Sequence, residues 1–360
     1  MNNFTKISSK NFKEAGFYEV IDKNASKSVR CYLCAHYCVI KNKNFGVCKV
    51  RFNYEGKLFT MTWGQAEGLA IDPIEKKPLY HFKPSSKVLS FGTPGCNFFC
   101  LNCQNNSLSQ LIKKSDISEF RNKNVEPFEI HQLAVYNSVD GIAYTYSEPT
   151  IFFEYVRDII HLTKINQETS NLFHIFVSNG FFSKELLKFI VDEKLIDAIN
   201  IDLKFFDDKK YKKITGGSLM PVLDSIRFLY ENKIHIEITN LVIPDINDDD
   251  EDFEKLTSFI ASLSSDVPLH FSRFYPHYKM LSKSPTKLER LIRAKEIAHK
   301  NGLFFVYIGN TNLADVENTY CPKCGYNLIR RKNYRIFINF EMKKNNNFCP
   351  DCGAEIKIIS

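Results

Sequence analysis

Eleven cysteines fall into three tight groups, and their spacing constrains this 360-residue chain more than any other feature. They are Cys31, Cys34, Cys38 and Cys48, then Cys96, Cys100 and Cys103, then Cys321, Cys324, Cys349 and Cys352, with none left over. An odd total argues against a fully disulfide-paired secreted protein. The opening MNNFTKISSKNFKEAGFYEV has no apolar segment of the kind that directs secretion, and no run approaches the ~18 apolar residues of a membrane span. The expectation is a cytoplasmic protein with no membrane partner, whose thiols bind metal. The 44% hydrophobic and 25% charged residues exclude a largely disordered chain, and a net charge of +7 is too small for a dedicated nucleic-acid binder.

From Val88 onward, short apolar runs recur at Val88–Phe91, Ile142–Tyr146, Phe173–Val177, Ala198–Leu203, Ile234–Val242, Pro268–Phe274 and Phe304–Ile308. Between most of them lie stretches with helical periodicity, at Ile151–Leu162, Ser183–Lys194, Leu219–Asn232, Asp249–Leu263 and Pro285–Asn301. Strands that are apolar throughout and alternate with helices predict an α/β fold whose parallel sheet is covered by helices. Six or seven such units predict a partial or full parallel βα barrel. The expected division is a four-cysteine module with connector over 1–86, the barrel over 87–315 and a second four-cysteine module over 316–360. The acidic run Asp245–Asp252 reads as a loop and helix start, where carboxylates face the positive end of the helix dipole.

The central group, Cys96-x3-Cys100-x2-Cys103, follows the first barrel strand and the turn Gly92-Thr93-Pro94-Gly95. Three thiolates on one loop can hold three irons of a [4Fe–4S] cluster and leave the fourth open. Electron-transfer clusters are ordinarily closed by four cysteines, and barrel active sites gather at the C-terminal ends of the strands. A zinc or scaffold site completed by a distant ligand is the alternative.

This spacing resembles the signature of the radical S-adenosylmethionine (SAM) superfamily, in which the amino and carboxylate groups of SAM chelate the open iron. The resemblance implies a [4Fe–4S] cluster on Cys96, Cys100 and Cys103, with SAM as second cofactor, and it sharpens toward the activating enzymes of glycyl-radical proteins such as pyruvate formate-lyase. Ser178-Asn179-Gly180 looks like the family's T-N-G, Asp202-Leu203-Lys204 like its D-L-K, and Leu241-Val242-Ile243-Pro244 like its V-V-P segment. It places Ser178, Asp202 and Lys204 near SAM; a solvated Asp202–Lys204 ion pair is the plainer reading. Two departures stand out. Asn102 replaces the usual aromatic before the third cysteine, with Phe98 and Phe99 nearby. The G-G-E motif is replaced by Tyr144-Thr145-Tyr146-Ser147-Glu148-Pro149, where Glu148 either accepts from the SAM ammonium or belongs to a helix start capped by Ser147. Arg273 and His277, after the sixth strand, stand where a carboxylate could be met. His131, His174 and His235 read as structural.

Cys321-Pro-Lys-Cys324-Gly and Cys349-Pro-Asp-Cys352-Gly are two knuckles of the kind that make a four-thiolate zinc ribbon, with YRIFINF at Tyr334–Phe340 as a strand between them. Rubredoxin-type iron is the minor alternative. Arg330, Arg331, Lys332 and Arg335 make nucleic-acid contact conceivable, with a solvated basic face the commoner case. Cys31, Cys34, Cys38 and Cys48 suffice to close either a zinc site or a second iron–sulfur cluster; His36 is superfluous.

The N-terminal C-x-L-C-x-H-x-C pattern, the segments KKPLYHF and SFGTPGCNFFCLNCQN, the Y-T-Y-S-E-P-T stretch and the ribbon together resemble the AmmeMemoRadiSam-system radical SAM enzymes. That resemblance implies AMMECR-type and Memo-type proteins as partners, with flavodoxin or ferredoxin as electron donor, and supplies no substrate. The expected function is hydrogen abstraction by a 5′-deoxyadenosyl radical from an unidentified substrate, in the manner of a protein-activating enzyme. The alternatives are a radical SAM enzyme that modifies RNA and a non-catalytic adaptor with structural zinc in all three groups.

Overall fold

The computed structural model describes residues 12–22, 27–110, 112, 124–332, 334–343 and 347–360. Its centre is an 8-stranded sheet. Seven strands run parallel in sequence order: Lys87–Gly92, Gly141–Tyr144, Phe173–Ser178, Ala198–Asp202, His235–Val242, Leu269–Arg273 and Val306–Gly309. Burial on both faces explains their continuous apolar character: Gly141–Tyr144 is buried at every position. Because the order never reverses, each crossover helix packs on the same outer face and the sheet curls, leaving one set of strand ends to form a rim. The sheet is an open barrel, since its two edge strands are not paired to each other.

Helices lie where periodicity places them: Phe153–Ile165, Lys184–Asp192, Leu219–Glu231, Asp250–Leu263 and Leu288–Lys300. Lys184–Asp192 shows why, burying Leu186, Leu187 and Ile190 along one stripe while the Ser183 side chain accepts from the Leu186 amide. Asp249 caps the acidic helix by accepting from the Asp252 amide. Among the described residues three further helices, Asn106–Ser109, Pro127–Tyr136 and Asp208–Thr215, were not expected from the sequence.

Nor was the eighth strand of the sheet. Glu67–Pro73, within the 1–86 segment read as N-terminal module and connector, runs antiparallel along Lys87–Gly92 and forms the sheet edge. Residues 77–84 then close the barrel at the end opposite the rim. The Asn200 amide donates to the Pro78 carbonyl at 2.8 Å, the Glu237 carboxylate accepts from the His81 amide at 2.7 Å, and His81 meets the Tyr307 hydroxyl at 2.6 Å.

The N-terminal residues form two small antiparallel sheets. They dock through a buried ion pair in which Arg51 donates to both oxygens of Glu154, at 2.8 and 3.0 Å. The C-terminal module pairs Thr319–Tyr320, Asn327–Lys332 and Arg335–Ile338, and Asn347–Phe348 with Glu355–Ile356. Arg331 anchors it, donating to the Tyr80 carbonyl at 2.8 Å with its guanidinium 4.2 Å from the Tyr80 ring centroid. Among the described residues, no helix is long and apolar enough to cross a membrane.

Candidate active site

The loop carrying Cys96, Cys100 and Cys103 leaves the rim end of Lys87–Gly92. Two glycines let it turn there. A Cβ on Gly92 would stand 2.5 Å from the Thr145 carbonyl, and one on Gly95, whose φ of +102 already favours glycine, would lie 2.6 Å from Val50 Cγ1. The loop is then strapped to the end of the unexpected helix Asp208–Thr215. The amides of Phe99 and Leu101 donate to the carbonyls of Thr215 and Ile214, at 2.6 and 3.0 Å. Those carbonyls lack intrahelical partners at a helix C-terminus, so the loop satisfies the helix while the helix fixes the loop.

Phe98 is wholly buried, its ring 5.1 Å from that of Phe181, whereas Phe99 is exposed. Beyond Cys103, whose sulfur lies 3.1 Å from the Ser109 hydroxyl, Asn106 meets His277 at 3.0 Å. The Lys279 amide donates to the Leu101 carbonyl at 3.0 Å. The segment after the sixth parallel strand thus folds back onto the cysteine loop. Arg273 is turned aside, donating to the Thr286 carbonyl at 2.8 Å and the Tyr275 hydroxyl at 3.1 Å.

Lys204 and Asp202 form an ion pair at 2.9 Å, with Lys204 only 19% exposed. Burial alone would lower the Lys204 pKa, but the Asp202 carboxylate and the nearby Cys100 thiol outweigh it and raise the value, so the ammonium stays charged. Lys204 thus lies beside the cysteine loop, while Asp202 keeps contact with solvent.

Glu148 is fully buried. One oxygen accepts from the Thr150 amide at 3.1 Å, the Thr150 hydroxyl at 2.6 Å and the Ser178 hydroxyl at 2.8 Å; the other accepts from the Asn179 amide at 2.9 Å. It is Glu148, not Ser147, that caps the short helix Pro149–Phe152. Burial raises its pKa, opposed by these donors. Asn179 in turn donates to the Asn97 side chain at 2.8 Å, and the Asn97 carbonyl receives His36 at 2.9 Å. Asn97, Asn106, Ser109 and the 214–215 carbonyls thus shape the site without any signal in the sequence pattern.

The donor set fits an iron–sulfur cluster and SAM. Among the described residues, the one group of three or more potential ligands drawn within single-ion spacing is Cys321, Cys324, Cys349 and Cys352, whose ligand atoms all lie within 4.8 Å of one another. The loop thiols are set wider, as ligands to separate irons must be. Three buried polar atoms on this strand end and loop have no protein partner: Thr93 Oγ1, Asn97 Nδ2 and Asn102 Oδ1. They are groups a polar cofactor could satisfy. The N-terminal thiols also face one another. Burial raises the Cys34 pKa, with the charges of Cys31, Cys38 and Cys48 adding to the shift, and pushes Cys38 up to about 11.

A parallel open barrel with a three-thiolate loop at its rim defines a class of cluster-bearing α/β proteins. Comparison with known families narrows it: the model described as the radical SAM superfamily matches residues 91–257. An uncharacterized protein of Methanocaldococcus jannaschii is 39% identical over 96% of this chain and 99% of its own length. A second protein of that organism, whose name assigns it provisionally to the glycyl-radical enzyme activating enzymes, is 32% identical over 61% of this chain and 80% of its own. The pyruvate formate-lyase-activating enzyme of Staphylococcus epidermidis is 27% identical over 51% of this chain and 72% of its own. This chain belongs to the radical SAM superfamily and is related to the glycyl-radical activating enzymes.

Proposed function

We propose that this protein is a radical SAM enzyme of the activating type, which removes a hydrogen atom from a protein partner. The observation that carries this reading is the Cys96–Cys103 loop, clamped by a helix end at the barrel rim with the charged Lys204 beside Cys100. When bound, a [4Fe–4S] cluster on Cys96, Cys100 and Cys103, with SAM on its open iron, would supply one-electron cleavage of SAM to methionine and a 5′-deoxyadenosyl radical.

The chain's own residues bind and position. Lys204 keeps a permanent cation for the SAM carboxylate, and Asp202, which is more exposed than Lys204, has a face left for the SAM ammonium. Glu148 has four donors already, so its part is to tie the ends of Gly141–Tyr144 and Phe173–Ser178 together at the rim. Buried Phe98 walls the loop from water. A protein substrate is supported by the names of the two activating-enzyme relatives, and by resemblance AMMECR-type and Memo-type proteins are the first partners to test. Zinc in the ribbon is supported by Cys321–Cys352 and Cys324–Cys349 sulfur separations of 3.6 Å each.

The test is anaerobic incubation of the iron-loaded protein with SAM and dithionite, 5′-deoxyadenosine being quantified by mass spectrometry. Formation that is lost in Cys103→Ala supports the reading. A fully loaded, reduced protein that binds SAM yet forms none, even with the partner proteins added, overturns it.

A further inference from the structure

We propose that Cys31, Cys34, Cys38 and Cys48 bind a second iron–sulfur cluster, of the [4Fe–4S] kind, and not a single zinc ion. The assignment stands independently of what the Cys96 loop does.

Spacing decides between the two metals. A tetrahedral zinc with Zn–S bonds of about 2.3 Å holds its sulfurs roughly 3.8 Å apart. The ribbon meets that demand, with two sulfur pairs at 3.6 Å and all four sulfurs within 4.8 Å. The N-terminal thiols do not: among the described residues, no three of them share that spacing. They stand around one small pocket, whose walls are otherwise largely apolar, with Leu33, Ile40, Val47 and Ile151 prominent. Four thiolates that converge on a common space yet stand too far apart for one ion match a polynuclear centre, in which each sulfur takes its own iron.

Arg51 supplies a second, independent sign of an occupant. Its side chain lines the cavity and is 2% exposed. Its terminal nitrogens are engaged by Glu154 and the Gly16 carbonyl, but its Nε is buried with no acceptor. An unpaired guanidinium N–H costs free energy unless something completes it, and a thiolate or sulfide of a negatively charged cluster is such an acceptor. The position is also specific. Cys34 bridges to Phe182, the Ala35 amide donates to the Phe181 carbonyl, and His36 contacts the Asn97 carbonyl beside Cys96. A redox centre held here lies directly against the loop of the first cluster.

The experiment uses the full chain carrying Cys96→Ala, Cys100→Ala and Cys103→Ala together, purified anaerobically from iron-replete cells without chemical reconstitution. About four irons and four sulfides per chain, with a [4Fe–4S] Mössbauer doublet, are expected alongside the ribbon's metal. Iron-free protein, with or without an extra zinc, overturns the proposal, as does a count of about two irons. Should the triple variant fail to accumulate, Cys34→Ser with Cys38→Ser in the otherwise native chain decides: iron falls by about four per chain relative to the parent with zinc unchanged, whereas a loss of zinc at unchanged iron overturns it.

Discussion

The imidazole Nε2 of His36 lies 2.9 Å from the main-chain oxygen of Asn97, joining two cysteine groups that are 61 residues apart along this contact. The contact is one of a chain: Asn97 receives Asn179, and the Asn179 amide is held by Glu148. A polar relay therefore runs from the N-terminal module, across the cysteine loop, to the ends of the second and third parallel strands. The His36 ring also packs 4.8 Å from that of Phe181, so both its edge and its face are used.

His36→Leu keeps apolar volume against Phe181 and removes the hydrogen bond. The expected cost is about 1 kcal/mol in global stability, the usual net value of one such bond. Its larger effect is local: amide hydrogen exchange across 96–103 should quicken more than in the barrel strands. Equal quickening everywhere would mean that the module does not restrain the loop.

Lys204→Met removes the cation beside Cys100 while leaving Asp202, which at 37% exposure can be hydrated. A charge-assisted hydrogen bond is worth about 1.5–3 kcal/mol, so the SAM dissociation constant should rise roughly ten- to a hundredfold. Lys204→Arg keeps the charge and should lose much less. Equilibrium binding at matched iron content is the measurement, and unaltered affinity in Lys204→Met would move the SAM carboxylate elsewhere.

Gly217 is packed so closely that a Cβ would fall 2.2 Å from Phe98 Cε1. Phe98 cannot yield, because it is buried among Phe181 and Tyr211 in the cysteine loop itself. Gly217→Ala is expected to cost about 1–3 kcal/mol by overpacking and to lower the iron retained on the loop. Gly309→Ala is the control, since a Cβ there meets nothing within 4 Å. Denaturant unfolding and iron per chain, measured on both, check the contrast.

The seven parallel strands were legible because each is largely buried on both faces and therefore rich in apolar residues without strict alternation, a pattern that survives without alignment. Glu67–Pro73 was not, because an edge strand is half exposed: Gly68, Leu69 and Ile71 face solvent and its sequence EGLAIDP has no clean alternation. Asp208–Thr215 escaped for a related reason. In DKKYKKIT only Tyr211, Ile214 and Thr215 are buried, and an aspartate and four lysines supply the rest. The spacing of the cysteines pointed to the superfamily, but what aims the loop left no such mark. Its straps are backbone carbonyls of residues 214 and 215, more than a hundred positions away, and a carbonyl carries no sequence signature. Glu148 shows a further limit: a helix start was readable from Pro149, but its cap was expected at Ser147, one residue early, and the two further donors to Glu148, Ser178 and Asn179, arrive only when neighbouring strands pair.

His174 gives the structure a measurable acid sensitivity. It is buried between the Tyr144 hydroxyl at 3.2 Å and the Thr163 hydroxyl at 3.1 Å. Burial pushes its pKa down to about 3, and the Lys164 charge adds to the effect. In the unfolded chain the ring titrates near ~6.5, so between the two values the unfolded state binds the extra proton and stability rises with pH. The contribution is complete above pH ~6.5 and is lost as the pH falls toward the folded value, reaching a deficit of about 2 kcal/mol near pH 5. His174→Gln retains a side chain able to bond both hydroxyls and has nothing to protonate. Urea unfolding of parent and variant, compared near pH 7.5 and near pH 5, should therefore show a smaller loss in the variant by about that amount. Parallel losses would mean that His174 takes up its proton in the folded protein, and that the Tyr144–Thr163 enclosure opens to water well before the barrel unfolds.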